Sequence, residues 1–240
     1  MNDIPFTLRG YHDLIAGLLA RGYDLRSFHD ADPAQRHLAL RHDIDQSIHS
    51  ARAMADLESA NGWFSTWFVL VRTEMYNPLS RAATGHLRAM RSAGHEIGLH
   101  LDATYYGSET DLQAGAAVEC RILEDIVEAP VRIVSFHRPG KERLGGDTPV
   151  AGRPHTYMDR YTKLIGYCSD SRGAWRHGHP FHHSALVQGS ALQLLTHAVW
   201  WVGPDGRDAR GRLEDVLSER IATLDAELAG NNEVWRARRQ

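Results

Sequence analysis

The chain has 240 residues, 27 Lys and Arg against 30 Asp and Glu for a formal charge of −3, and is 42% hydrophobic and 24% charged. This is ordinary globular composition, sufficient for one domain over 1–240 with a sizeable core. No apolar run reaches the roughly 18 residues of a membrane span, and the near balance of charge, with Arg236, Arg238 and Arg239 as its basic cluster, excludes broad electrostatic binding of nucleic acid.

Near the N-terminus the apolar stretch 14–20 is short and runs into Arg21 rather than a small-residue cleavage site. It does not read as a signal peptide, and a cytoplasmic location is the simplest expectation. Leu38, Leu40 and Ile44, with Pro33 upstream, predict a strand over 37–45. A helix over 46–61 follows, with Ile48, Ala51, Met54 and Ala55 on one side and Gly62 as its stop. Residues 63–71, rich in aromatic and β-branched types, predict a second strand. Leu79, Ala82, Ala83, Leu87 and Met90 predict a helix over 78–93 that ends at Gly94.

The alternation continues with a strand over 96–102, then a helical stripe of Leu112, Ala116, Cys120, Leu123 and Val127 closed by Pro130. Strands are predicted over 131–137, 163–168 and 191–197. Leu213, Val216, Leu217, Ile221, Leu224 and Leu228 form the clearest amphipathic helix, expected to pack as a final layer. Strand–helix alternation of this kind implies βαβ units and a parallel sheet. Segments 141–160, 172–188 and 203–211 read as long loops, which in a compact domain are often lids or binding loops. Cys120 and Cys168 are too far apart for a metal knuckle and read as buried thiols of a reducing compartment. His177, His179, His182 and His183, around Pro180, match no metal spacing and read as loop residues.

The chemistry collects at the strand ends: Asp43 and Asp45, His100 and Asp102, His137 and Arg138, Asp170, and His197. In a parallel α/β sheet the carboxyl ends share one rim, and that rim carries the site. Residues two apart in a strand also share a face, so Asp43 aligns with Asp45 and His100 with Asp102. Singly each has a bland alternative, such as Asp45 as a helix N-cap or His100 as an interior histidine. Together, at successive strand ends, they point to a metal site. Trp200 and Trp201, just past His197, are either core or the wall of a sugar pocket.

Four motifs carry a family resemblance: Leu40-Arg41-His42-Asp43-Ile44-Asp45, Gly94 to His100, Ser135-Phe136-His137-Arg138-Pro139, and Leu194-Leu195-Thr196-His197. In order and spacing, over about residues 35–200, they resemble the polysaccharide deacetylase (NodB, carbohydrate esterase family 4) superfamily. The likeness is strongest to a divergent branch associated with surface-polysaccharide loci. It implies an irregular (β/α) barrel of about seven strands, related to the TIM barrel. It makes Asp43 the catalytic base, Asp45 and His100 metal ligands, His197 the general acid, and Arg138 the group that orients the base. Asp170 and Trp175 correspond to a pocket-lining Asp/Trp motif. Where the family has its second metal histidine, this sequence has Thr104; His137, ending the neighbouring strand, is the preferred third ligand, and Asp102 the alternative.

The resemblance therefore implies a divalent ion, zinc by preference, and removal of an N-acetyl group from an acetamido sugar, with Asp102, Asp170, Trp175 and Trp200 about the substrate. A cyclic-amide hydrolase on the same scaffold is a second expectation. A catalytically silent sugar-binding protein, motivated by Thr104, is a third.

Overall fold

A computed structural model describes residues 4–176 and 178–237. His177 of the loop histidines, and Arg238 and Arg239 of the basic cluster, lie outside the described residues. In chain order the main elements are α1 (Leu8–Leu19), β1 (Asp24–Leu25), β2 (His37–Ile44), α2 (Ile48–Ala60), β3 (Thr66–Leu70), α3 (Arg81–Ser92), β4 (Glu96–Leu101), α4 (Glu109–Val127) and β5 (Val134–Phe136). There follow α5 (Asp159–Thr162), β6 (Gly166–Ser169), α6 (Ser184–Gln188), β7 (Leu192–Thr196), α7 (Ala198–Trp201), α8 (Ala209–Asn231) and α9 (Glu233–Ala237). Side-chain caps start the crossover helices: Ser47, Ser80 and Ser108 each accept from a backbone N–H three residues on. Gly62 and Gly94 supply the left-handed residue just past α2 and α3, at φ 69° and 101°.

All pairings are parallel, in the order β5-β4-β3-β2-β7-β6, with β1 beside the start of β2. The expected alternation is therefore present. The ladder does not close between β5 and β6, yet the sheet is curled. In a flat sheet β2 and β5, three strands apart, would be separated by about 14 Å, whereas the Arg41 side chain of β2 hydrogen-bonds Ser135 of β5. Along β2, Leu38, Leu40 and Ile44 face out into the main core beneath the helices, whereas Ala39 belongs to a second cluster with Phe28, Phe68 and Ile133. Arg41 and Asp43 share the parity of Ala39, and so stack above that cluster toward the carboxyl rim.

Most of the apolar stretch 14–20 lies in α1, which packs Tyr11, Leu14, Ile15 and Leu18 into the core. One expectation needs amending, that of the helix expected as a final layer. Helix α8 forms, but buries only Gly211, Arg212 and Val216. Leu213, Leu217, Ile221, Leu224 and Leu228 are 43–59% exposed. Periodicity reveals a helix with an apolar face but not what covers it, and α1 to α4 already line the sheet. No helix among the described residues is long and apolar enough to cross a membrane.

On the outer face of β2, Glu58 of α2 is fully buried. It meets His42 Nε2 at 2.9 Å, accepts from Ser65 Oγ at 2.6 Å and from the Tyr11 hydroxyl, and lies 3.7 Å from His95 Nδ1. His42 Nδ1 meets Thr196 Oγ1 of β7 at 2.7 Å. Burial pushes the Glu58 pKa up, but His42, then His95 and Ser65, outweigh it and hold it below its ordinary value. Folded Glu58 thus stays ionised at a pH where the unfolded chain, with a pKa of about 4.3, binds a proton. Its stabilisation is full above that pH and lost as pH falls through the lower folded pKa. Glu58→Gln should lower the unfolding free energy at pH 7 by about 3 kcal/mol, read from urea denaturation, and should flatten the acid limb of the stability curve.

Candidate metal centre

The inward face of the curled sheet carries the reactive groups in layers. Lowest is Arg41, fully buried. Its Nε and Nη2 donate to the two oxygens of Asp43 at 2.9 and 2.8 Å, and Nη1 donates to Gln193 of β7 at 3.1 Å. Nη2 also donates to Ser135 and, at 3.1 Å, to the Tyr157 hydroxyl. Asp43 is buried, which pushes its pKa up. The Arg41 charge, with His100 and His197, outweighs burial and holds it below the usual carboxylate range.

Above this layer Asp45, His100 and His137 each offer a ligand atom within 4.8 Å of the others. Asp45 Oδ1 is 3.1 Å from His100 Nε2 and 3.9 Å from His137 Nε2. A tetrahedral ion with bonds of 2.0–2.1 Å separates neighbouring ligand atoms by about 3.4 Å, so the spacing fits. The chemistry of the donors fits as well. His100 Nδ1 faces the Ser135 carbonyl at 3.3 Å. With the proton on Nδ1, Nε2 presents a lone pair beside the Asp45 carboxylate, and a positive charge between them, a bound cation or in its place a proton on Nε2, satisfies both groups. Asp102 Oδ2 lies 3.5 Å from His137 Nδ1, a buried nitrogen without a hydrogen-bond partner. Asp102 is the carboxylate behind the imidazole, close enough to pair with an Nδ1 proton electrostatically but not hydrogen-bonded to it. Burial lowers the His137 pKa, which favours the neutral ligand form. Asp45 is pushed up by burial but held well below the carboxylate range by the His100 hydrogen bond and charge, with His197 and His137 adding.

His197 stands on the other side, its Nε2 3.8 Å from Asp45 Oδ2. Buried Asp170 accepts from His197 Nδ1 at 2.6 Å, from its backbone N–H at 3.1 Å and from Trp201 Nε1 at 2.7 Å. Burial acts to lower the His197 pKa, but Asp170, with Asp45 and Asp43, raises it to about 9.

Asp43, Asp45, His100, His137 and His197 thus meet in a cleft of about 300 Å³, with Phe136, Tyr157, Tyr167 and Leu195 among its walls. Other residues named from the sequence lie elsewhere. Thr104 donates to Asp102, at 2.6 Å from the hydroxyl and 3.0 Å from the backbone N–H, and faces solvent. Asp102 stands behind His137 and borders a neighbouring groove of about 840 Å³. Arg138 lines the cleft but donates to Asp102 at 2.8 Å, not to Asp43. It sits in the turn after β5, 70% exposed, and the guanidinium that grips Asp43 is that of Arg41. Asp170 is behind His197 and not on the cleft wall. Trp175 packs on Phe6 and Trp201, and Trp200 is buried in α7, so neither lines the cleft. The chain turns into α7 directly after His197, which carries its tryptophans beneath α1. Arg41 was missed, although the two-residue strand rule that pairs Asp43 with Asp45 puts Arg41 on the same face.

No family description matches the chain, and no curated protein matches it. Among solved structures it is similar to a family 4 carbohydrate esterase from Bacillus anthracis, at 16% identity over 89% of this chain and 86% of that one, with a TM-score of 0.45. It is similar also to the chitin deacetylase of the fungal pathogen Colletotrichum lindemuthianum, at 16% over 82% and 85%, TM-score 0.46. A third is a peptidoglycan N-acetylglucosamine deacetylase, at 11% over 88% and 92%, TM-score 0.47.

Zinc or cobalt titrated calorimetrically into the apoprotein should bind with a stoichiometry of one. Asp45→Ala and His100→Ala should each abolish that binding, Asp102→Asn should weaken it about 10–100-fold, and Thr104→Ala should leave it unchanged.

Proposed function

We propose that the chain is a divalent-metal-dependent hydrolase, zinc by preference, that removes the N-acetyl group of an acetamido sugar belonging to a surface polysaccharide or its precursor. The observation that carries this reading is the meeting, from four separate strand ends, of an Asp-His-His ligand set with a carboxylate and a second imidazole on two sides of it. Asp45, His100 and His137 would hold the cation, which when bound would supply Lewis-acid polarisation and water activation.

The chain's own residues do the rest. Asp43, kept ionised and aimed by Arg41, takes the proton from the attacking water as general base. His197, charged below about pH 9 and fixed through Nδ1 by Asp170, presents its Nε2 proton to the leaving amine. Phe136, Tyr157, Tyr167 and Leu195 give the sugar apolar and hydroxyl-bearing walls. Buried Cys120 and Cys168, whose thiols burial pushes up to about 11 and about 12, suit a reducing compartment, and we take the substrate to be a cytoplasmic, nucleotide- or lipid-linked precursor.

The test is acetate release from a panel of free, oligomeric and nucleotide-linked N-acetyl sugars. Asp43→Asn should lower kcat by about 10³-fold or more while binding the ion, and His197→Ala by about 10²–10⁴-fold. Ring opening of a hydantoin without acetate release would move the chain to cyclic-amide hydrolysis. A fully metal-loaded protein that cleaves neither would be the silent sugar-binding protein that Thr104 first suggested.

A further inference from the structure

Two arginines at the mouth of the cleft share a backbone state that arginine rarely adopts. Arg138 has φ 50°, and Arg172 has φ 62° and ψ 29°. This is the left-handed region, in which a non-glycine side chain crowds its own backbone, and such residues cluster where a ligand must be met. The Arg172 turn is not loose. Gly173 N–H donates to the Asp170 carbonyl at 2.9 Å and Ser171 N–H to Ser169 Oγ at 3.1 Å, so the turn is anchored on the residue that holds His197.

The charges at the site are unevenly matched. Asp43 is taken by Arg41, Asp102 by Arg138 and Asp170 by His197. Arg172 lines the cleft, is exposed, and has no hydrogen bond or ion pair among the described residues. Arg138 spends a single Nη2 contact on Asp102, and its remaining donors have no hydrogen-bond partner among the described residues. A guanidinium is built to meet a planar or tetrahedral anion through paired N–H groups.

We propose that Arg172, assisted by Arg138, forms an anion subsite at the cleft mouth, so that the acetamido sugar this chain takes carries an anionic oxygen group, a phosphoester or a carboxylate, on the sugar or at its linkage. The inference rests on the hydrolase reading for its sugar and on the arginine geometry for its charge. It makes Arg172 a specificity-determining residue that touches substrate away from the reacting atoms.

The experiment measures affinity, not turnover, so that it stands apart from the acetate assay. Metal-loaded protein is titrated with N-acetylglucosamine, its 1-phosphate and its 6-carboxylate. The anionic probes should bind about tenfold or more tighter than the neutral sugar, and whichever anion gains more identifies the group. Glycine adopts the left-handed conformation freely, so Arg172→Gly should melt at or above the wild-type temperature yet lose most of that preference. Arg172→Lys should keep part of it. Equal affinity for charged and neutral probes overturns the proposal, as does failure of both anionic probes to bind at about 10 mM. A preference that survives intact in Arg172→Gly also overturns it, since the anion would then be held by the cation alone. Acetate release without anion preference would leave the hydrolase and remove the subsite; preference without acetate release would do the reverse.

Discussion

The buried guanidinium of Arg41 is the constraint on which the rest of the site depends. A charge taken wholly out of water costs several kcal/mol unless partners meet it on every side. Here they are a bidentate carboxylate from its own strand, an amide from β7, a hydroxyl from β5 and a phenol from the loop before β6. Satisfying one cation thus gathers one neighbouring strand, β7, and the far edge strand, β5, around β2. The curl that lets Asp45 approach His137 is the same curl that lets Arg41 reach Ser135.

Behind the inward face lies a second polar network that never meets the cleft. Because strand side chains alternate, His42 points outward between inward Arg41 and Asp43. Through Glu58 and Thr196 it pins β2 to α2 and to the residue that precedes His197. Asp43 and His197 are therefore each preceded in sequence by a buried outward residue, and those two residues hydrogen-bond each other. Two side chains of the cleft, from strands 154 residues apart, are held in register by a bond on the opposite side of the sheet.

Much of this was legible in the sequence, and the gaps have physical causes. The strands could be read because apolar runs ended in Asp and His, and a parallel sheet sends all such ends to one rim. That His137 lies beside Asp45 and His100 was readable because it ends the strand next to β4. Arg41 was not singled out because an arginine in mid-strand looks like an exposed edge residue until the sheet curls around it. Arg138 was drawn to Asp43 by motif likeness, whereas its left-handed backbone turns it toward Asp102. Trp175 and Trp200 follow strand ends too closely for sequence to tell wall from core; the immediate start of α7 decides for core. For α8, periodicity gave the helix and could not give the neighbour.

That last helix divides the molecule's cooperativity. Its first two turns are anchored through Arg212 and Val216, but the remaining four make few tertiary contacts and rely on local hydrogen bonds and propensity. Such a segment frays by helix–coil exchange, with a free energy far below that of the sheet. Ellipticity near 222 nm, which counts every helical turn, will begin to fall before the tryptophan emission of a Trp235→Phe variant, whose buried indoles include Trp67 against His42 in the body of the protein. The later turns of α8 are the expected start of melting, ahead of the sheet.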